Sequence, residues 1–80
     1  MSTQNRSLNV IASEIRKDWG AKVNYAAQPY LDAMSTLDSI NDNYYQDSGK
    51  SMVSYFLCNA GAWRGEVARR VKKELNALLK

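Results

Sequence analysis

The stretch "QDSGKSMVSYF", residues 46–56, decides between two folds. Its tetrapeptide Ser48-Gly49-Lys50-Ser51 is how a phosphate-binding P-loop closes, which would make the chain an α/β nucleotide binder. A P-loop also needs a glycine five residues ahead of the Gly-Lys pair, so that backbone N–H groups can wrap the phosphates, and a strand leading into it. That position is Tyr44, which cannot take up a glycine conformation without cost. Upstream, "LDSINDNYYQ" is polar and rich in turn formers, without the β-branched alternation of a buried strand. The tetrapeptide reads instead as a helix start. Asp47 or Ser48 caps the free N–H groups, and Met52, Val53, Phe56, Leu57 and Ala60 recur at helical spacing in a helix over 49–60.

Outward from this helix the same periodicity recurs three times. From Ser7, an N-cap, the residues Leu8, Ile11, Ala12, Ile15 and Trp19 fall within about 100° of arc, and Gly20 ends the run. A second helix is expected from Pro29, which suits a first helical position, with Tyr30, Ala33, Met34 and Leu37 facing inward. The segment "DSINDNYYQDSG" reads as the longest loop. Apolar residues cover so wide an arc of the 49–60 helix that it is expected to be the central one. Gly61 breaks it, and a fourth helix is expected over 63–79, with Trp63, Val67, Val71, Leu75, Leu78 and Leu79 on one side. Arg70 stands between Glu66 and Glu74 at four-residue spacing, which pairs its charge along the helix. The fold class predicted is all-α: a compact single-domain bundle of about four short helices over 7–80, behind a frayed tail of residues 1–6.

Composition narrows the chemistry. A chain of 80 residues buries only about 60% of the surface it exposes when unfolded, which argues against a deep substrate cavity. There is no histidine and one cysteine, Cys58, so His/Cys metal sites and Cys–His or Ser–His nucleophile pairs are excluded. A lone cysteine makes no internal disulfide, which fits a reducing cytoplasm, and its place in an apolar run predicts a small core residue. The start, "MSTQNRSLNV", is too polar for a signal peptide, and no apolar stretch reaches the ~18 residues of a membrane span. The expectation is a cytoplasmic protein with no membrane contact, no metal and no cofactor, and not an enzyme.

Net charge is +3, and it is segregated: +2 over residues 1–22, −3 over 23–63 and +4 over 64–80. Segregation of this kind steers charged partners. On the last helix Arg69, Lys72, Lys73 and Lys80 lie opposite the apolar stripe, a strip that would track a phosphate backbone or simply face water. A helix-turn-helix centred on Gly61 would want a small residue at Leu57 and an apolar one at Arg70, and both miss. The acidic centre Asp32, Asp38, Asp42 and Asp47 lacks calcium-loop spacing, because Ile40 stands where a ligand should be. These aspartates read as caps and loop solvation. Adjacent Tyr44 and Tyr45 cannot both point inward, so one is expected at the surface as an interface anchor. Trp63 and Gly65 read as structural, with Gly65 permitting a close helix approach, and Arg64 as a contact residue or the partner of an edge acid.

Across almost the whole chain from Ser7, the segments "SLNVIASEIRKDW", "YAAQPYLDAMSTLDSINDNY", "DSGKSMVSYFLCNA" and "WRGEVARRVKKEL" resemble a family of short hypothetical proteins encoded by bacteriophages, prophages and other mobile elements. Relatives tend to have a glycine in the loop where this chain has Tyr45. The resemblance brings no catalytic or binding residue. It implies a phage accessory protein in a bacterial host that binds and blocks a host protein, such as a CRISPR or restriction nuclease complex, as an anti-CRISPR or anti-restriction inhibitor. Candidate partner-binding residues are Asp42, Tyr44, Tyr45 and Asp47 in the loop, with Arg64, Arg69, Lys72, Lys73 and Lys80 at the basic end. An inhibitor in a DNA channel would use the former, and one covering an acidic surface the latter. The alternative is a small nucleic-acid-binding helical domain using the basic face of the last helix. Either would act as a monomer or homodimer.

Overall fold

Ser48 stands in extended backbone at the head of α3 (Gly49–Cys58), and its hydroxyl accepts the N–H of Ser51 at 3.2 Å. The P-loop tetrapeptide is therefore a capped helix start, with Ser48 rather than Asp47 as the cap. The computed structural model describes residues 6–44 and 47–79. Residues 1–5 of the expected tail lie outside this range. Beside α3 stand α1 (Leu8–Trp19), α2 (Gln28–Met34) and α4 (Glu66–Leu78), giving the small all-α domain that the periodicity predicts.

In α1 the five expected inward residues are all buried. Ser7 occupies the N-cap position, but its hydroxyl donates to Asn9 Oδ1 at 2.9 Å. The free N–H groups of the first turn go elsewhere: Leu8 donates to the Asp38 carbonyl at 3.0 Å and Asn9 to that of Leu37 at 2.9 Å. Gly20 closes the helix at φ 65°, and a short 3-10 turn, Gly20–Lys22, follows. Next, Asn24 Oδ1 accepts the Ala26 N–H and the Asn24 carbonyl accepts from Ala27 and Gln28, which winds the chain into α2. Pro29 sits in that first turn, where its missing N–H costs nothing. Leu31, Ala33, Met34 and Leu37 are buried, while Tyr30 is only half-buried.

The segment expected as plain loop contains a two-residue antiparallel pair, β1 (Asn43–Tyr44) and β2 (Asp47–Ser48), with Asn43 opposite Ser48 and Tyr44 opposite Asp47. It lies hard against the start of α3. A Cβ on Gly49 would come within 2.7 Å of the Ile40 carbonyl oxygen, so only glycine fits there.

The last helix begins at Glu66 rather than Trp63. Gly65 has φ 115° and ψ −177°, a conformation outside the helical region that side chains rarely adopt, and it stops Trp63 and Arg64 from joining α4. Nothing lies within 4 Å of where its Cβ would be. Gly65 thus serves a backbone conformation, and the expected close helix approach is absent.

The core joins all four helices. Trp19 and Trp63 stack with centroids 5.7 Å apart, and Phe56 meets both edge-on, at 6.2 and 6.4 Å. Helix α2 packs on both α3 and α1, and α1 on α4, so the expectation of a central α3 is corrected. Its surplus apolar residues lie toward solvent instead: Tyr55 and Cys58 are exposed. Cys58, expected in the core, falls about 200° around the helix from Phe56, away from Met52, Val53 and Phe56.

Candidate interaction surfaces

The strip expected on α4 is partly used inside the molecule. Arg70 does not pair with its own helix neighbours but crosses to Glu14 on α1. Arg6, expected in the frayed tail, joins the same cluster, with Nη2 2.6 Å from Glu74 Oε1 and Nη1 2.8 Å from Glu14 Oε1. The second contact is close without aligning as a hydrogen bond. The bond from Arg70, and then Arg6, holds the Glu14 carboxyl below its ordinary range, while the two carboxylates, Glu74 foremost, push Arg6 upward.

Lys72 is not a solvated member of a strip either. Its Nζ donates to the Trp63 carbonyl at 2.6 Å and lies 5.9 Å from the centre of the Trp63 ring. The cause is the late start of α4, which leaves that carbonyl outside any helical ladder and within reach of a lysine two turns on. Arg69 and Lys73 are exposed, and Lys80 lies outside the described residues. Between α3 and α4 run residues 59–65, longer than the three or four residues of a helix-turn-helix turn.

This connection builds a basic hollow. Trp63, 2% exposed, forms part of its wall, and Arg64, Arg69 and Lys72 line it around a volume of about 360 Å³. A second hollow of about 400 Å³ shares Trp63 and Arg64 and adds Lys22 and Asp18. Asp18 Oδ2 accepts the Trp63 indole N–H at 2.8 Å, which fixes the ring. Burial, and then the charge of Arg64, lower the Lys72 pKa. Of the expected residues, then, Arg64, Arg69 and Lys72 come together and Lys73 does not line the site. Lys22 was not legible, since only the packing of the 3-10 turn beside Trp63 brings it there.

The acidic residues are partly engaged within the molecule. Asp42 turns back to accept the N–H groups of Asp38 and Ser39, at 3.0 and 3.1 Å. Asp38 accepts from Asn9 at 2.8 Å, and Asp32 pairs with Arg16. Asp47 is exposed. Tyr44 lies in β1, and Tyr45 lies outside the described residues.

A different tyrosine surface was missed. Tyr25 is 93% exposed and Tyr55 48% exposed. The ring of Tyr30 lies 5.3 Å from that of Tyr55, tilted by 42°. Asn24 Nδ2 donates to the Asn59 carbonyl at 3.3 Å, which clasps the turn bearing Tyr25 to the end of α3, one turn from Tyr55. Both contributing segments, 23–31 and 51–63, lack any charged residue, and that uncharged pairing was the signal available in the sequence.

No family model, curated protein or solved structure matches the chain. Among the described residues, no cluster of His, Cys, Asp and Glu could hold a metal ion, and no helix is long and apolar enough to cross a membrane.

Proposed function

We propose that this chain is a non-enzymatic accessory protein of a phage or mobile element, acting in the cytoplasm of a bacterial host by binding a host protein. The tyrosine face carries this reading. Interface cores are depleted in charge and enriched in tyrosine, whose rigid ring gives much contact area for little lost entropy, and Tyr25, Tyr30 and Tyr55 supply such rings from two uncharged segments that the Asn24–Asn59 bond holds together. The resemblance to phage proteins makes a defence nuclease, of the CRISPR or restriction kind, the target class, with the chain as its inhibitor.

Capture from host lysate tests the reading. Tagged wild type and the double variant Tyr25→Ala/Tyr55→Ala, checked for intact helicity, are incubated with lysate with and without nuclease, and partners are identified by mass spectrometry. The expected result is one stoichiometric host protein that survives nuclease and is lost from the variant. Equal capture by both chains removes the tyrosine face from the interaction. Partners that vanish with nuclease favour the second reading, a nucleic-acid-binding domain, for which the exposed Arg64 and Arg69 beside Lys72 argue.

A further inference from the structure

We infer that the basic hollow at the start of α4 is a docking site for an acidic segment of a partner protein, which places one or two carboxylate side chains among Arg64, Arg69 and Lys72. The inference deepens the protein-binding reading above and rests on it. Charge complementarity carries it. Arg6, Arg16 and Arg70 are each neutralised by carboxylates of their own chain. Among the described residues, Arg64, Arg69 and Lys72 have no such partner, and all three line one hollow. Lys72 is held in place by the Trp63 carbonyl, so its ordering is complete before anything binds. Partial desolvation and the nearby Arg64 charge hold its pKa down, and an incoming anion offsets that charge. Gly61, Gly65 and Ala68 complete the lining, so small side chains leave room for a carboxylate between the cations.

The surroundings select a protein carboxylate over a nucleic-acid strand. Asp18 lines the adjoining hollow and Glu66 is exposed in the first turn of α4. A duplex, carrying one negative charge per about 1.7 Å of its axis, would have to pass over both. An isolated acidic side chain need not.

The test uses the purified chain and two probes, a hexaglutamate peptide and a short self-complementary DNA oligonucleotide in duplex form. Each is titrated at low salt and read by backbone amide shifts and tryptophan emission. The expected result is that the peptide perturbs the amides of residues 61–72 and the emission. The double variant Arg64→Gln/Arg69→Gln should weaken its binding about tenfold, and Lys50→Gln/Lys73→Gln, which removes equal charge elsewhere, by no more than about twofold. Equal weakening by the two variants, or no perturbation at millimolar peptide, overturns the site. Tighter binding of the oligonucleotide at the same amides overturns the choice of a protein partner. Because the titration needs no host component, its failure leaves a lysate capture standing, and failure of the capture leaves the titration standing.

Discussion

At Glu14, one carboxylate adds an ion pair to the apolar contact between the first and last helices, with Arg70 and Arg6 around it. Its pKa is lowered in the folded chain, so the sign of its pH dependence is fixed. The stabilisation is complete above the ordinary glutamate value, about pH 4.3, and is lost as pH falls through the lower folded value. Melting curves of wild type and Glu14→Gln should differ by about 1 kcal/mol near neutrality, the scale of a partly exposed ion-pair network, and converge once the Glu14 carboxyl is protonated in the folded chain. A gap that stays constant with pH would assign the loss to packing. Gly65 makes a second prediction, because its conformation disfavours any side chain. Gly65→Ala should cost about 1–3 kcal/mol in denaturant unfolding although the added methyl has open space around it. Neither role could be read locally. Glu14 and Arg70 are far apart in sequence, and a glycine ahead of Glu66-Val67-Ala68 fits a helix interior as well as a helix stop until its φ is known.

Helix starts were more legible than helix partners. The serine of Ser48-Gly49-Lys50-Ser51 caps α3 because a short hydroxyl side chain satisfies a free N–H just where apolar periodicity begins. Ser48→Ala should lower stability by about 0.5–2 kcal/mol. Lys50→Ala should change it by less than about 0.5 kcal/mol, since Lys50 is exposed, and chemical denaturation of the pair separates a cap from a phosphate loop. The buried face of α1 followed from spacing alone, whereas in α2 spacing chose the half-buried Tyr30 and passed over the buried Leu31. Spacing misled where a helix has apolar residues to spare. In α3 it marked Cys58 as core, although the arc that meets the other helices was already filled by Met52, Val53 and Phe56. The β1–β2 pair was hidden for another reason: two residues per strand are too few to show alternation.

For the molecule as a whole, Trp63 joins the core to the basic end. It stacks on Trp19, donates to Asp18 and gives its carbonyl to Lys72. Trp63→Ala should cost about 3–5 kcal/mol, most of the stability available to a domain of this size, and calorimetry should show little or no cooperative transition. The sequence marked this tryptophan as buried and structural. It did not reveal that Arg64, Arg69, Lys72 and Lys22 gather around it, because that depends on where α4 begins and on the packing of the 3-10 turn. The bonds from the Leu8 and Asn9 amides to the carbonyls of Asp38 and Leu37 bear on the order of assembly. The first turn of α1 obtains its acceptors from the far side of α2, so it cannot be completed while the intervening chain is still unfolded. In hydrogen-exchange terms these two amides, near the beginning of the chain where fraying is usual, should be released only with the cooperative unit formed by α1 and α2.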